Sequence, residues 1–75
     1  MQENVLFGSQ IVIERKEFTI TLRENPRGRF VRIVERCGNR PASIIIPVAG
    51  LKEFQQLLAD MVRADKGIVP KTKPS

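Results

Sequence analysis

Residues 18–36, with the sequence FTITLRENPRGRFVRIVER, decide the fold of this chain. Apolar and polar residues alternate over the first six positions, which is the pattern of a strand with one buried face. Asn25–Gly28 is typical of a turn, because Pro26 presets its own φ and Gly28 can adopt the positive φ that a hairpin often needs. A strand pattern resumes over 29–36. The stretch therefore predicts an antiparallel hairpin.

Three further elements flank this hairpin. β-branched residues predict a strand on either side of it, and after Gly50 the apolar residues recur at helical spacing. The four strands are expected at 11–13, 18–23, 29–36 and 42–46. The predicted fold class is α+β, a four-stranded antiparallel sheet followed by one helix. This unit spans 10–65, with an N-terminal arm at 1–9 and a flexible basic tail at 66–75.

The composition is that of one small folded domain. The chain has 75 residues, of which 41% are hydrophobic and 28% charged. A chain of this size buries only about 60% of its unfolded surface, so a lone copy would be marginally stable. No apolar run approaches the roughly 18–20 residues that cross a bilayer, and Met1–Asn4 lacks the basic start of a secretory signal. With Cys37 as the single cysteine, we expect a cytoplasmic protein, nucleoid-associated or, in a eukaryote, nuclear.

Catalysis and metal binding are disfavoured by the residue types that are missing. The sequence contains no His, the usual general base at neutral pH and the commonest imidazole ligand. One cysteine cannot form a structural zinc site, and the glycines form no phosphate-binding loop motif. We therefore expect no enzyme, no cofactor, no metal and no small-molecule substrate.

The positive charge is concentrated in one segment. Residues 11–40 hold eight Lys or Arg against four Glu, within a net charge of +5 for the whole chain. Such a field attracts polyanions. A solvated basic surface without a specific partner is the alternative.

The helix leaves one face of the predicted sheet open. Alternation directs Phe18, Ile20 and Leu22 to the covered face. The open face receives hydroxyl, guanidinium and aromatic groups, together with a few apolar ones, from Thr19, Thr21, Arg23, Phe30, Arg32, Val34, Ser43 and Ile45. This mixture suits single-stranded nucleic acid, because Arg neutralises phosphates and an aromatic ring stacks on a base. Phe30 is the candidate stacking residue, with burial at a dimer seam or under the arm as the alternative.

The helix carries more apolar residues than one narrow stripe needs. They are Leu51, Phe54, Leu57, Leu58, Met61 and Val62. A surplus apolar flank can form a two-fold contact, which would also supplement a small core. These six residues are the predicted homodimer interface, unless a broad sheet absorbs them within one chain.

The hairpin also carries a family motif. Glu24-Asn25-Pro26-Arg27-Gly28-Arg29-Phe30 resembles the Glu-Asn-x-x-Gly-Arg-Phe turn of PUR repeats, the purine-rich-element-binding family typified by Pur-alpha. Other segments resemble the family's remaining strands and the opening of its helix, namely Lys16–Phe18, Val31–Ile33, Ile44–Pro47 and Gly50–Phe54. The resemblance covers roughly residues 9–65, although Thr19 and Ile20 stand where the family is commonly aromatic.

This resemblance implies a β-β-β-β-α PUR repeat, a Whirly-like fold, that pairs as an intertwined homodimer with crossed helices. A one-repeat chain is similar to the bacterial type. The resemblance implies binding of single-stranded DNA and RNA with a purine-rich preference, and regulation, including that of transcription, without catalysis. Taken with the open face, it predicts that phosphates are held by basic residues of the hairpins, which are Arg15, Lys16, Arg23, Arg27, Arg29 and Arg32.

The leading hypothesis is a homodimeric regulator that binds single-stranded DNA or RNA and does not associate with membranes. The alternative is a protein-interaction or dimerisation module whose open sheet face docks a partner through Val34 and Ile45. A fragment of a multi-repeat protein is a third option. Salt separates the first two hypotheses, because salt weakens phosphate contacts and leaves apolar contacts largely unchanged.

Overall fold

A computed structural model describes residues 2–67 of the chain. Four strands form one antiparallel sheet in the order β1-β2-β3-β4, and a short 3₁₀ turn and one helix follow. The bounds are β1 Asn4–Ile13, β2 Lys16–Asn25, β3 Gly28–Cys37, β4 Arg40–Pro47, the 3₁₀ turn Val48–Gly50 and α1 Leu51–Gly67. The predicted four-stranded antiparallel sheet followed by one helix is confirmed.

The first strand begins earlier than the sequence predicts. Residues 4–9, expected to form an arm, belong to β1, which pairs with β2 along its length from Asn4 opposite Glu24 to Ile13 opposite Lys16. A bulge between Val5 and Phe7 interrupts this register. The sequence hides the strand because it passes through Gly8-Ser9-Gln10, which have little strand preference of their own. At the other end α1 extends to Gly67, and the remainder of the predicted tail lies outside the described residues.

The turn between β2 and β3 has the chemistry that the sequence predicts. The side-chain oxygen of Asn25 accepts hydrogen bonds from the backbone N–H groups of Arg27 at 2.9 Å and Gly28 at 3.1 Å. Gly28 has a φ of 143°, a conformation that residues with a side chain rarely adopt. The Asn25–Gly28 turn therefore fixes the register of the hairpin on which the open face depends.

The sheet has an apolar face and a polar face. Cross-strand pairs place Ile20 opposite Ile33 and Leu22 opposite Val31, and Val31 also lies opposite Ile46. Val31 is 7% exposed and is the buried residue of the described part of the chain. The apolar face therefore consists of the residues that alternation predicts, with β1 adding Phe7 and Ile11 beside β2.

The helix does not cover this apolar face, contrary to the expectation from the sequence. Within residues 2–67, α1 has its main contacts with the 3₁₀ turn, which in turn touches β3. Leu51, at the start of α1, lines a groove of about 360 Å³ on the apolar face with Phe7, Leu22 and Val31. Farther along the helix the apolar side chains are 49–57% exposed, at Leu57, Leu58, Met61 and Val62. Three residues separate β4 from α1, and this short link leaves most of the helix away from the sheet.

Candidate nucleic-acid interface

The polar face of the sheet brings together five of the residues that the sequence predicts to bind nucleic acid. In the register of β2 with β3, Thr21 lies opposite Arg32 and Arg23 lies opposite Phe30. Thr19 lies opposite Val34 on the same face. On β4, Ser43 and Ile45 continue this face beside Val34 and Arg32. The predicted open face is therefore a real surface of adjacent side chains.

Arg23 and Arg32 are held by a small polar network on this face. The Nε of Arg23 donates a hydrogen bond to the hydroxyl oxygen of Thr21 at 2.9 Å. The two carboxylate oxygens of Glu3 contact Nη1 of Arg23 at 3.1 Å and Nη2 of Arg32 at 3.7 Å. The Nε of Arg32 is buried and has no hydrogen-bond partner among the described residues. The two guanidiniums thus share one carboxylate, and one donor of Arg32 remains without a partner in the described part of the chain.

Phe30 lies next to this network, at a shallow hollow of about 460 Å³. Ile45 and Pro47 contribute apolar surface beside the half-buried ring, and Arg27 and Arg29 stand at the rim. An aromatic ring with cations around it can stack on a base while the cations contact the flanking phosphates. The hollow thus combines an aromatic ring, apolar surface and cations.

The other predicted cations lie at the two ends of β2. Arg15 and Lys16 lie at the turn between β1 and β2, whereas Arg27 and Arg29 lie at the turn between β2 and β3. Because β2 has ten residues, these turns are about 30 Å apart. Arg23 and Arg32 lie between these two ends, on the polar face.

Two of these cations occupy the apolar side of the sheet, where each faces a carboxylate. Lys16 has the strand parity of Phe18, and its Nζ lies 3.1 Å from a carboxylate oxygen of Glu35. Arg29 lies opposite Glu24 in the register and is 3.7 Å from its carboxylate. The hydrogen bond from Glu35 and its negative charge raise the pKa of Lys16 above its ordinary value of 10.5. Lys16 and Arg29 therefore lie on the face opposite Arg23 and Arg32, each paired with a carboxylate of that face.

The predicted dimer residues divide into two groups in the structure. Leu51 and Phe54, in the first turn of α1, are half-buried. The others are exposed, and together they form an apolar stripe that contacts no strand extensively in the described part of the chain, at Leu57, Leu58, Met61 and Val62. The alternative that the sheet of the same chain absorbs all six residues is therefore wrong.

Sequence reasoning missed Glu3. The residue lies in the stretch that was predicted to form an arm, and its contact with Arg23 joins positions 20 apart in the chain. No periodicity or motif links Glu3 to the hairpin, so the contact could be found only in three dimensions.

Among residues 2–67, no helix is long and apolar enough to cross a membrane, and no group of three or more potential metal ligands occurs.

Two comparisons with known proteins bear on this surface. The family model described as PurA ssDNA and RNA-binding protein matches residues 2–68. The chain is also 40% identical over 67 residues to the Transcription factor Pur-alpha 1 of Arabidopsis thaliana. The match covers 87% of this chain and 23% of the plant protein, so the chain spans about a quarter of that relative's length.

Proposed function

Since the chain belongs to the PurA family of ssDNA- and RNA-binding proteins, we propose that it binds single-stranded nucleic acid through the polar face of its sheet. The observation that carries this proposal is the juxtaposition of Arg23, Arg32 and Phe30 on adjacent strands. Two guanidiniums beside one ring supply both phosphate contacts and a stacking platform. The protein acts by binding, without catalysis.

The arrangement favours a flexible single strand over a duplex. A base can reach the Phe30 ring only if it is unstacked and its Watson–Crick edge is free, as in a single strand. The larger ring system of a purine covers more of the Phe30, Ile45 and Pro47 hollow than a pyrimidine does. A purine-rich preference is therefore part of the proposal.

The cations at the ends of the hairpin extend the binding path. Arg27 and Arg29 stand at the rim of the hollow, and Arg15 and Lys16 lie at the far end of β2. A nucleic-acid strand that runs along the polar face passes Arg23 and Arg32 and reaches Arg27 at one turn and Arg15 at the other, whereas Lys16 and Arg29 add positive charge from the opposite face. Each phosphate that it neutralises adds to the salt dependence of the affinity.

The functional unit in this proposal is an intertwined homodimer. Within residues 2–67 of one chain, both the apolar sheet face and the apolar stripe of α1 are largely uncovered. A second copy can place its helix on the sheet of the first, and the two-fold relation repeats the contact in reverse. Crossed helices of this kind would bury the Leu57, Leu58, Met61 and Val62 side chains and supply the core that a single chain lacks.

Regulation of transcription is the corresponding biological role. The plant relative is named as a transcription factor, and the chain matches part of its length. A protein that binds single strands without catalysis can regulate by occupying an exposed strand. We extend that role to this chain as part of the proposal.

The test is fluorescence anisotropy with a labelled G-rich single strand, as DNA and as RNA, at several salt concentrations. A matched pyrimidine strand and a duplex are the comparison ligands. Arg32→Gln removes a cation of the polar face, and Lys52→Gln removes an equal charge from α1 as its control. We expect salt-sensitive binding that favours the purine single strand and that Arg32→Gln weakens more than Lys52→Gln does.

Other results would contradict parts of the proposed function. Equal binding to all strands would leave a basic protein without purine preference. Equal loss in Arg32→Gln and Lys52→Gln would remove the polar face from the site. An absence of binding at low salt would overturn nucleic-acid binding and favour a protein-docking face that uses Val34 and the 55% exposed Ile45.

A further inference from the structure

We propose that the carboxylate of Glu3 is a built-in competitor for nucleic-acid phosphate, occupying in the free protein the anion site between Arg23 and Arg32. This inference rests on the proposed function and deepens it, because it says what the phosphate must displace. It assigns a regulatory role to Glu3, a residue that lies before β1 and outside the family motif of the hairpin.

The geometry of the contact is that of a bridging anion. One carboxylate oxygen lies 3.1 Å from Nη1 of Arg23, and the other lies 3.7 Å from Nη2 of Arg32. The two arginines belong to different strands, so a single anionic group spans β2 and β3. A phosphodiester also presents two anionic oxygens on one centre and can make the same pair of contacts.

The site suits a phosphate better than it suits Glu3. With the carboxylate in place, the buried Nε of Arg32 has no hydrogen-bond partner within residues 2–67. A guanidinium binds a phosphate best through two parallel N–H groups, such as Nε and one Nη. A phosphate that replaces Glu3 reaches this buried donor only if the Arg32 side chain reorients, and it then satisfies a donor that is unpaired within residues 2–67.

Glu3 can leave the site without disturbing the sheet. The pairing of β1 with β2 begins at Asn4, one residue later. Glu3 and its guanidinium partners are each between 26% and 35% exposed at their side chains. Because water and salt reach the contact, it is of the weak, exposed kind. Displacement therefore lowers the apparent affinity by a modest factor, on the order of 2- to 5-fold.

The experiment compares Glu3→Gln with Glu53→Gln in the full chain. Both variants remove one negative charge, but Glu53 lies in the first turn of α1 and has no ion pair among the described residues. Anisotropy with the G-rich single strand should show about 2- to 5-fold tighter binding for Glu3→Gln and less than 2-fold for Glu53→Gln. In an Arg32→Gln background the gain from Glu3→Gln should shrink, because the shared partner is gone.

A second probe makes the result independent of nucleic-acid binding. Inorganic pyrophosphate is titrated into ¹⁵N-labelled protein, and the Nε–H signal of Arg32 is followed. Glu3→Gln should bring the midpoint of the shift to a lower pyrophosphate concentration than in the wild type, and Glu53→Gln should not. If no strand binds but the pyrophosphate midpoints differ in this way, the proposed function fails and the anion competition stands.

The competition is overturned if Glu3→Gln matches Glu53→Gln with both probes, because the effect would then be one of net charge. It is also overturned if Glu3→Gln weakens binding, which would make Glu3 a contact of the ligand. Circular dichroism and thermal unfolding of each variant show whether the fold is retained.

Discussion

The Nε of Arg23 donates a 2.9 Å hydrogen bond to the hydroxyl oxygen of Thr21, two residues earlier on the same face of β2. Thr21 in turn lies opposite Arg32 on β3. The hydroxyl therefore holds the guanidinium of Arg23 beside the strand position of Arg32. We expect Thr21 to act as a positioning residue for Arg23.

Thr21→Val should weaken single-strand binding by about 3-fold. Valine keeps the branched shape and the strand preference of threonine, but it removes the acceptor that holds Arg23, and a side-chain hydrogen bond is worth about 0.5–1.5 kcal/mol. Thr21→Ser, which keeps the hydroxyl, should bind nearly as the wild type does. Anisotropy titrations measure both affinities. Equal affinities for the two variants would exclude the positioning role.

Phe30→Leu tests the stacking residue. Leucine fills much of the hollow beside Ile45 and Pro47 but has no π face on which a base can stack. Because base–aromatic stacking is worth about 1–3 kcal/mol, affinity for the purine strand should fall by about 5- to 150-fold. Anisotropy with purine and pyrimidine strands measures this loss. Unchanged affinity together with a weaker dimer would place Phe30 in the dimer seam instead.

The parts of the fold that the sequence predicts are those with local causes. Alternation in 18–23 determines the two faces of β2, and the Asn25–Gly28 turn determines the register of β3 against it. The full length of β1 depends on pairing with β2, so its own composition does not reveal it. The position of α1 depends on the length of the 3₁₀ link, and helical periodicity says which side is apolar but not what covers it.

The candidate site divides in the same way. Thr19, Thr21, Arg23, Phe30 and Arg32 share a face because strand parity requires it. Strand parity also places Lys16 and Arg29 on the apolar face, although their positive charge predicts that they bind phosphates together with Arg23 and Arg32. The contact of Glu3 with the arginines is long-range and leaves no sequence pattern.

The ion pair of Lys16 with Glu35 should give a small stability term that depends on pH. The hydrogen bond and charge of Glu35 raise the pKa of Lys16 in the folded state above its ordinary value of 10.5. A raised lysine pKa stabilises the folded state below the unfolded value, and this contribution is lost as the pH rises through the folded value. The stabilisation by this ion pair should thus be fully present at neutral pH and be lost above pH 10.5.

An NMR titration of the Lys16 side chain checks this shift. Glu35→Gln should lower the pKa of Lys16, because it removes the main cause of the increase, whereas Glu14→Gln should lower it less. If the Lys16 titration is the same in Glu35→Gln and the wild type, the ion pair does not persist in solution.

Leu58→Ala tests whether α1 is covered by a second copy. Leu58 is 49% exposed within one chain, and truncation of a side chain left in water changes stability by no more than about 0.5 kcal/mol. In a packed dimer interface the same truncation costs about 2–5 kcal/mol. We expect the larger loss, with an unfolding midpoint that rises with protein concentration in the wild type.

Thermal unfolding over a concentration series measures the loss of stability, and sedimentation equilibrium measures dimer formation. Lys52→Ala, on the polar side of the same helix and exposed, is the control and should leave both unchanged. A concentration-independent midpoint with little cost for Leu58→Ala would mean that the helix stays uncovered and that the polar face acts in a monomer.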